Sequence, residues 1–185
     1  ALSADTQARL MADDPWLRVA TIHHLNQGAA YPTIAAASLS DADRDLYRLL
    51  DVVSFLKRVP LFGGLSAYYL REQAEVAEFR VLTDGETLFA RGDVGDAMYI
   101  VCQGGVDVRI GERTIAKLTS GASMGELALL DGEPRSASAV ASTSDTLLLR
   151  LPAERFRSLL FSQPLTVRAL LRTLDRRIRE TQGGE

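Results

Sequence analysis

One segment of the sequence, between residues 121 and 140, brings an anion-binding side chain close to a hydrogen-bond acceptor. Glu126 follows Gly125, and Arg135 lies nine residues further along. An arginine can grip a phosphate with two parallel hydrogen bonds, whereas an ionised glutamate only accepts hydrogen bonds and therefore suits sugar hydroxyls. These residue types predict a nucleotide-like site, in which an anion cradle lies beside a hydroxyl acceptor.

The residues between these two side chains are predicted to form a short helix, over 124–130, inside a region of strands. The first N–H groups of a helix have no partners within it and can bind an anion. Gly125 removes a side chain where a ligand would approach closely. The same spacing is compatible with an internal salt bridge between Glu126 and Arg135 and no ligand. On spacing alone, both interpretations stay open.

Short β-favouring runs surround this helix from residue 79 to residue 151, separated by glycine and aspartate turns. The runs predict strands at 81–82, 87–90, 97–103, 106–110, 114–118, 138–141 and 146–151. Strands of this length and spacing are typical of a small sandwich or barrel, and closing the sheet hides its edges. We therefore expect the middle of the chain to be a small β domain.

Helical patterns precede the strands. Residues 4–12 and 15–26 have helical spacing, and a shorter helix is predicted at 66–77. The sequence at 40–43 resembles a capping box and opens a helix that Pro60 ends. The apolar face expected for this helix consists of Leu46, Leu49, Leu50, Val53 and Leu56.

Two helices are predicted after the strands, one at 153–161 and one that begins at Pro164. The apolar face expected for the last helix consists of Val167, Leu170, Leu171, Leu174 and Ile178. Its other face carries Arg168, Arg172, Arg176 and Arg179. We interpret this arginine face as solvated, and an anionic or acidic partner is the alternative.

Composition narrows the classes of protein. The chain has 185 residues, 46% hydrophobic and 24% charged, which is normal for a globular domain with a core. A net charge of −3 gives no overall basic field for nucleic acid. A single cysteine, Cys102, excludes an internal disulfide and a cysteine zinc cluster. With no membrane-length apolar stretch and no signal-peptide pattern, the sequence predicts a cytoplasmic location.

The sequence contains no recognisable catalytic pattern. Its two histidines, His23 and His24, are adjacent on a predicted helix and so point to different faces. The His-Glu-x-x-His, Gly-x-Ser-x-Gly and P-loop patterns are absent. We expect no enzymatic activity, no catalytic residues, no metal site and no cofactor.

Residues of about 57–180 resemble the cyclic nucleotide-binding domain, the β-roll module that binds cAMP or cGMP. The run 125–130, followed by 134–138, is similar to that family's phosphate-binding cassette. Similar hairpins, turns and lead-in residues occur upstream, at 56–65, 84–86, 89, 92–96, 98–101 and 104. The resemblance implies an α+β fold, in which a small antiparallel, jelly-roll-like β-roll is flanked by N-terminal helices and two C-terminal lid helices.

The resemblance also implies roles for individual residues. Glu126 would accept the ribose 2′-hydroxyl, supported by the Gly125 backbone, and Arg135 would clamp the cyclic phosphate. The other implied contacts to the ligand are backbone N–H groups of Leu127, Ala128 and Ser136. The last helix would cover the base through Leu171, Leu174 or an arginine, Arg172 or Arg176. The Ser136 hydroxyl could bond the phosphate or a purine edge, so it does not discriminate between adenine and guanine.

Domain organisation and partners follow from the same resemblance. Residues 57–185 would form the binding domain, and 1–56 an N-terminal helical segment. Residues 11–21 resemble the end of a HEAT-type repeat, which precedes such domains in bacterial transporter fusions. The implied function is a regulatory sensor that binds cAMP by preference, with cGMP open, and relays lid closure to an effector. The effector is unidentified. A membrane transporter fused at the N-terminus is one candidate, which would make the domain the cytosolic part of a membrane protein, and a homodimer is another candidate assembly.

Two other functions are compatible with parts of the pattern. A β-roll that has lost its ligand would serve as a docking or dimerisation domain, although both Glu126 and Arg135 are present at the family spacing. A transcription regulator of this family would carry a winged helix after the last helix, and the sequence ends at Glu185. We therefore expect no nucleic-acid partner for this sequence.

Overall fold

The computed structural model describes residues 41–182. The helices predicted at 4–12 and 15–26, the HEAT-like segment and Ser40 lie outside the described residues. The described helices are α1 (Asp41–Arg58), α2 (Ala67–Val76), α3 (Leu127–Asp131), α4 (Ala153–Ser162) and α5 (Pro164–Gln182). The described strands are β1 (Glu78–Leu82), β2 (Thr87–Phe89), β3 (Ala97–Gln103), β4 (Val106–Ile110), β5 (Arg113–Leu118), β6 (Ser123–Met124), β7 (Ser138–Ala141) and β8 (Thr146–Pro152).

The strands form two four-stranded antiparallel sheets, in the orders β1-β8-β3-β6 and β2-β7-β4-β5. Each sheet draws strands from both ends of the β region, so the chain passes repeatedly between the two layers. Helices lie before and after the sheets. The α+β fold class, with a small antiparallel β-roll between helices, is confirmed.

The central strand β3 is buried on both faces, which explains its nearly continuous apolar run. Because side chains alternate along a strand, Met98 and Ile100 face one way and Tyr99 and Val101 the other. Met98 and Ile100 pack in a cluster with the helices, whereas Tyr99 and Val101 pack in a second cluster between the sheets. Strand β8, paired with β3, divides its leucines in the same manner.

Helix α1 forms where it was expected but presents a different face. Leu50 is 51% exposed, while Val52 and Phe55, which were not predicted to face the core, are buried beside Leu56. Packing against α2 selects this face, because contact with a neighbouring helix decides which residues of an amphipathic helix are covered. Residues of α1 share one hydrophobic cluster with Phe156 of α4. The domain boundary at residue 57 stays a prediction.

Helix α5 also differs from its predicted orientation. Its buried positions are Thr166, Leu170 and Thr173, whereas Leu171 is 62% exposed. The expected all-apolar face is therefore wrong at Leu171. The helix instead buries two small polar side chains, Thr166 and Thr173, and Thr173 lines the cavity that contains the predicted site.

Candidate functional site

A tight turn between β6 and α3 begins the site. Ser123 and Met124 pair with β3, so the helix predicted at 124–130 begins only at Leu127. Gly125, between strand and helix, has φ of +79°, a left-handed conformation that favours glycine. This turn places Glu126 at the cap of α3, where the residue is fully buried.

Arg135 is held by main-chain carbonyls on two sides. Its Nη1 donates to the Gly125 carbonyl and its Nη2 to the Ala97 carbonyl, each at 2.6 Å. The guanidinium lies over the Phe89 ring, 4.3 Å from the centroid, in a cation–π contact. The residue is 3% exposed, and its burial lowers the pKa of the guanidinium from the usual arginine value. The guanidinium stays charged at neutral pH.

The loop at 92–96 fixes the main chain of Arg135. The Arg135 N–H donates to the Asp93 carbonyl at 2.8 Å, and the Arg135 carbonyl accepts from the Gly92 N–H at 2.9 Å. The same loop packs tightly on α3, because a Cβ added at Gly95 would lie 2.7 Å from the Cβ of Ala128. The loop at 92–96 therefore contacts both α3 and Arg135 and fixes the distance between them.

Asp96, at the end of this loop, bridges two arginines. Its Oδ1 lies 3.6 Å from Nη2 of Arg135, and its Oδ2 accepts a hydrogen bond from Nη2 of Arg150 at 2.9 Å. Arg150 also pairs with Glu78 at 3.1 Å. The hydrogen bond from Arg150 holds the pKa of the Asp96 carboxyl below its usual value. Asp96 is therefore an ionised, largely exposed carboxylate beside the guanidinium of Arg135.

Glu126 has one satisfied and one unsatisfied oxygen. Nη1 of Arg177 donates to its Oε1, and Nη2 of Arg177 donates to the Ser123 carbonyl. The Oε2 atom is buried and has no hydrogen-bond partner among the described residues. The internal salt bridge considered from spacing is not the arrangement found within residues 41–182, since Glu126 pairs with Arg177 and Arg135 with Asp96.

These groups border a cavity of about 460 Å³, a volume within the range of small-ligand sites. Its lining also includes apolar side chains of the second sheet, among them Val108 and Ala116. All six predicted ligand-binding residues line this cavity, namely Gly125, Glu126, Leu127, Ala128, Arg135 and Ser136. That each of them contacts a ligand stays a prediction.

The predicted lid residues are placed differently. The side chains of α5 that line the cavity are Thr173, Arg176 and Arg177. Leu171, Leu174 and Arg172 do not line it: Leu171 and Arg172 are exposed, and Leu174 packs at the edge of the helical cluster. The reason is the rotation of α5, which turns Thr173 and Arg177 towards the cassette. Arg176, named as an alternative, is at the cavity.

Arg177 is the functional residue that the sequence reasoning missed. The solvated face predicted for α5 consisted of Arg168, Arg172, Arg176 and Arg179, because a charged side chain is usually exposed, and Arg177 was assigned to no face. A signal existed in the spacing, since Thr166, Leu170, Thr173 and Arg177 follow one another at intervals of four, three and four residues along one helix face. The single charged residue in that series contacts Glu126.

Other chemistries find little support in the described part of the chain. Residues 41–182 contain no group of three or more histidine, cysteine, aspartate or glutamate side chains suited to a metal ion. Burial raises the pKa of the Cys102 thiol, which disfavours the reactive thiolate. No helix within these residues has the length and hydropathy needed to span a membrane.

Comparison with known proteins shows which family the chain resembles. The sequence profile of the cyclic nucleotide-binding domain matches residues 79–163. The chain is 39% identical over 130 residues to the Cyclic AMP receptor protein of Thermus thermophilus, covering 68% of this chain and 60% of that protein. It is 35% identical over 136 residues to the cAMP-dependent protein kinase regulatory subunit of Mycosarcoma maydis, covering 71% of this chain and 25% of that protein.

A solved structure matches over most of its length. The crystal structure of a cyclic nucleotide-binding domain from Methylobacillus flagellatus is 31% identical, with a TM-score of 0.60, and the match covers 74% of this chain and 81% of that chain. By contrast, the chain spans less than two thirds of the two sequence relatives. The similarity therefore extends to a domain that is shared by proteins of different overall architecture.

Proposed function

Because the chain belongs to the cyclic nucleotide-binding domain family, we propose that it binds a 3′,5′-cyclic nucleotide, cAMP in preference to cGMP, in the cavity beside α3 and α5. The observation that carries the proposal is the pair of buried charged residues, Glu126 and Arg135, which both line one cavity. The preference for cAMP rests on the names of the two relatives, each of which refers to cAMP.

The phosphate would bind at Arg135. Its two Nη atoms already donate to carbonyls, so its orientation is fixed before a ligand arrives. Its Nε is buried and has no partner among the described residues, which leaves a donor for an anion. Backbone N–H groups at Leu127, Ala128 and Ser136, all at the cavity, would complete the cradle.

The ribose would lie between this cradle and Glu126, whose Oε2 lacks a donor among the described residues. A hydroxyl that donates to a buried carboxylate forms a strong, charge-assisted hydrogen bond. The base would then extend towards α5, where Thr173 and Arg176 line the cavity. Of the lid candidates named from the sequence, Leu171, Leu174, Arg172 and Arg176, we propose Arg176 because it lines the cavity.

The regulatory part of the proposal is a relay. Ligand-dependent movement of α5 would change the packing of α1, because residues of both helices share one hydrophobic cluster. The effector would be a fused or bound protein, with a membrane transporter fused at the N-terminus as one candidate, and the chain would form a homodimer as a candidate assembly. We place the domain in the cytoplasm and assign it no catalytic step. Hydrogen exchange without ligand-dependent change at 164–177 and 48–60 would contradict the relay.

Titration calorimetry with cAMP and with cGMP tests the binding proposal. We expect saturable binding in the micromolar range or tighter, with cAMP preferred. Arg135→Ala should weaken it by about 30-fold or more, a loss of ~2–5 kcal/mol, because the phosphate charge is stranded in a buried site. The matched control is Arg113→Ala, an exposed arginine on β5, which should bind normally.

Adenosine, which lacks the phosphate, distinguishes this site from a nucleoside site. Adenosine binding as tight as cAMP binding would contradict the role of Arg135. Wild-type protein that shows neither heat nor a thermal shift with either nucleotide at millimolar concentration would contradict the whole proposal. The β-roll would then be a docking or dimerisation domain.

A further inference from the structure

The outer face of α5 carries a row of exposed arginines. This arginine stripe consists of Arg168, Arg172, Arg176 and Arg179. Its members follow one another at intervals of four, four and three residues, so they lie along one side of the helix. All four are exposed, whereas the side of α5 that carries Leu170 and Thr173 is buried against the rest of the domain.

Two arginines of the stripe have their charge available for a partner. Arg168 and Arg172 form no ion pair with any side chain described within residues 41–182. Arg179 donates to Asp175 at 2.9 Å, and this exposed pair is screened by water and weak. An external anion therefore meets at least two guanidinium groups that are not committed within the domain.

Exposed apolar side chains lie at the start of the stripe. Helix α4 ends at Ser162 and α5 begins at Pro164, and on either side of this corner Phe161 is 90% exposed and Leu165 is 55% exposed. Leu165 precedes Arg168 by three residues, so it lies on the same side of α5 as the stripe. Single exposed apolar residues are normal, but here two of them adjoin a basic row.

The corner is held in one conformation by the rest of the domain. The Gln163 N–H donates to the Leu159 carbonyl, and the Thr166 N–H donates to the Gln163 carbonyl, each at 2.9 Å. Leu165 also lies close to the loop between α1 and α2, since a Cβ added at Gly64 would be 3.6 Å from its Cβ. A fixed main chain thus presents the two apolar side chains, and little conformational entropy is lost on binding.

Charge is distributed unevenly along the chain. Residues 164–179 contain five arginines and one aspartate, a net charge of +4, although the whole chain has a net charge of −3. All other residues together therefore carry −7. An anionic surface attracts α5 and repels the remainder, which orients the domain with the arginine stripe towards that surface.

We propose that the arginine stripe and the corner form a docking surface for an anionic lipid membrane. The lipid phosphates and carboxylates bind the arginines, and Phe161 and Leu165 enter the boundary between headgroups and acyl chains. A row of carboxylates on another protein would satisfy the stripe and leave the corner exposed, whereas a lipid surface covers both. This attachment is peripheral, goes beyond the proposed function and does not depend on nucleotide binding.

Sedimentation with vesicles tests this docking surface. The wild type is mixed with phosphatidylcholine vesicles that contain either no phosphatidylserine or about one third of it, an anionic lipid that attracts basic side chains. We expect binding only to the vesicles with phosphatidylserine. The affinity should fall by about tenfold or more between about 0.1 M and 1 M salt, because the Debye length shrinks from about 10 Å to 3 Å.

Arg168→Gln/Arg172→Gln tests the basic part of the surface. This double variant should bind the phosphatidylserine vesicles about tenfold more weakly or worse, since each arginine near such a surface contributes about fivefold. The matched control is Arg80→Gln/Arg113→Gln, which removes the same charge from exposed positions on β1 and β5. Because these two residues lie on the β-roll, the control should change the affinity by less than about threefold.

Phe161→Ala tests the apolar part. It should weaken binding by about threefold or more, because apolar area of the ring is no longer removed from water. Val94→Ala, at a second exposed apolar position, should bind like the wild type. Thermal melting checks that each variant is folded, and the comparison of lipids and salt on the wild type stands without any variant.

Wild-type protein that stays in solution with the phosphatidylserine vesicles at about 0.1 M salt overturns the inference. Equal binding to both kinds of vesicle, or unweakened binding by the double arginine variant, overturns the role of the stripe. If polyglutamate binds the wild type and the vesicles do not, the stripe belongs to an acidic protein partner and the membrane proposal is wrong. Absence of cAMP binding, measured separately, contradicts the proposed function alone.

Discussion

Gly125 and the guanidinium of Arg135 are in close contact. The Gly125 carbonyl accepts a hydrogen bond from Nη1 of Arg135 at 2.6 Å, and a Cβ added at Gly125 would lie 2.5 Å from that nitrogen. No ordinary side chain fits this gap. The glycine therefore supports the phosphate residue by leaving space for it as well as by accepting its hydrogen bond.

Gly125→Ala should weaken cyclic nucleotide binding by at least about tenfold, because the methyl group displaces the guanidinium. The left-handed backbone adds a cost in stability of roughly 1–3 kcal/mol. Calorimetry and thermal melting measure the two effects. Gly111→Ala is the control: Gly111 also has a positive φ, but a Cβ there meets nothing within 4 Å. It should lose stability and keep its affinity, and a similar loss of affinity in both variants would contradict the steric explanation.

Phe89→Leu should weaken phosphate binding by roughly two- to fivefold. The ring lies under the Arg135 guanidinium, and such contacts are worth about 0.5–1 kcal/mol. Leucine keeps an apolar side chain of similar size and removes the aromatic face. Phe89→Tyr keeps the ring and should bind nearly as well as the wild type. Equal affinities of the leucine and tyrosine variants, measured by calorimetry, would show that the ring contributes volume only.

Asp96→Asn should lose a pH-dependent part of the stability. The hydrogen bond from Arg150 depresses the pKa of Asp96 in the folded chain. Its stabilisation is therefore fully present above the unfolded value, about 3.9, and is lost as the pH falls through the lower folded value. Because the Asp96 side chain is 62% exposed, the difference should stay below about 1 kcal/mol.

Urea unfolding of the wild type and Asp96→Asn at pH 7, 5 and 3 measures this difference. The difference in free energy of unfolding between the two proteins should be constant between pH 7 and 5 and smaller at pH 3. Asp84→Asn, at an exposed turn, serves as a control for the loss of a carboxylate. A gap that widens towards low pH would contradict the direction of the shift at Asp96.

Cys102 should react slowly with a thiol reagent in the folded protein and rapidly in urea. Burial raises the pKa of its thiol, and the thiolate is the reactive form. If labelling requires global unfolding, cAMP at 100 times its Kd should slow it by up to about 100-fold. The rate of dithionitrobenzoate labelling with and without cAMP checks both statements. Fast labelling in native buffer would contradict the burial of the sulfur.

The strands were predictable because their signals are local. The glycines at 104 and 111 end β3 and β4 close to the predicted positions, and the two-residue period of β3 is visible in the sequence. β6 was missed because two residues carry no period, and it forms only through pairing with β3. Local pattern thus predicts the long strands and not the short one that carries the cassette.

The residues at the candidate site were likewise predictable only where their signal is local in the sequence. Gly125, Glu126 and Arg135 lie in one short segment, so a site that contains all three could be proposed from the sequence, although spacing alone left an internal salt bridge as the alternative. The orientation of α5 depends on tertiary contacts, so the sequence predicted neither the contact of Arg177 with Glu126 nor the exposure of Leu171. A helix that covers a polar cavity turns polar residues inward, which an amphipathic pattern does not reveal.

The contribution of α5 to the cavity has a consequence for protein engineering. The groups proposed to bind phosphate and ribose lie within residues 125–136, whereas the last wall comes from Thr173, Arg176 and Arg177, which are separate in sequence. A sensor with altered base selectivity could therefore be built by replacing α5 residues while the cassette is left untouched. Arg177 should be retained in any such variant, because it connects α5 to Glu126 and to the Ser123 carbonyl of the cassette turn.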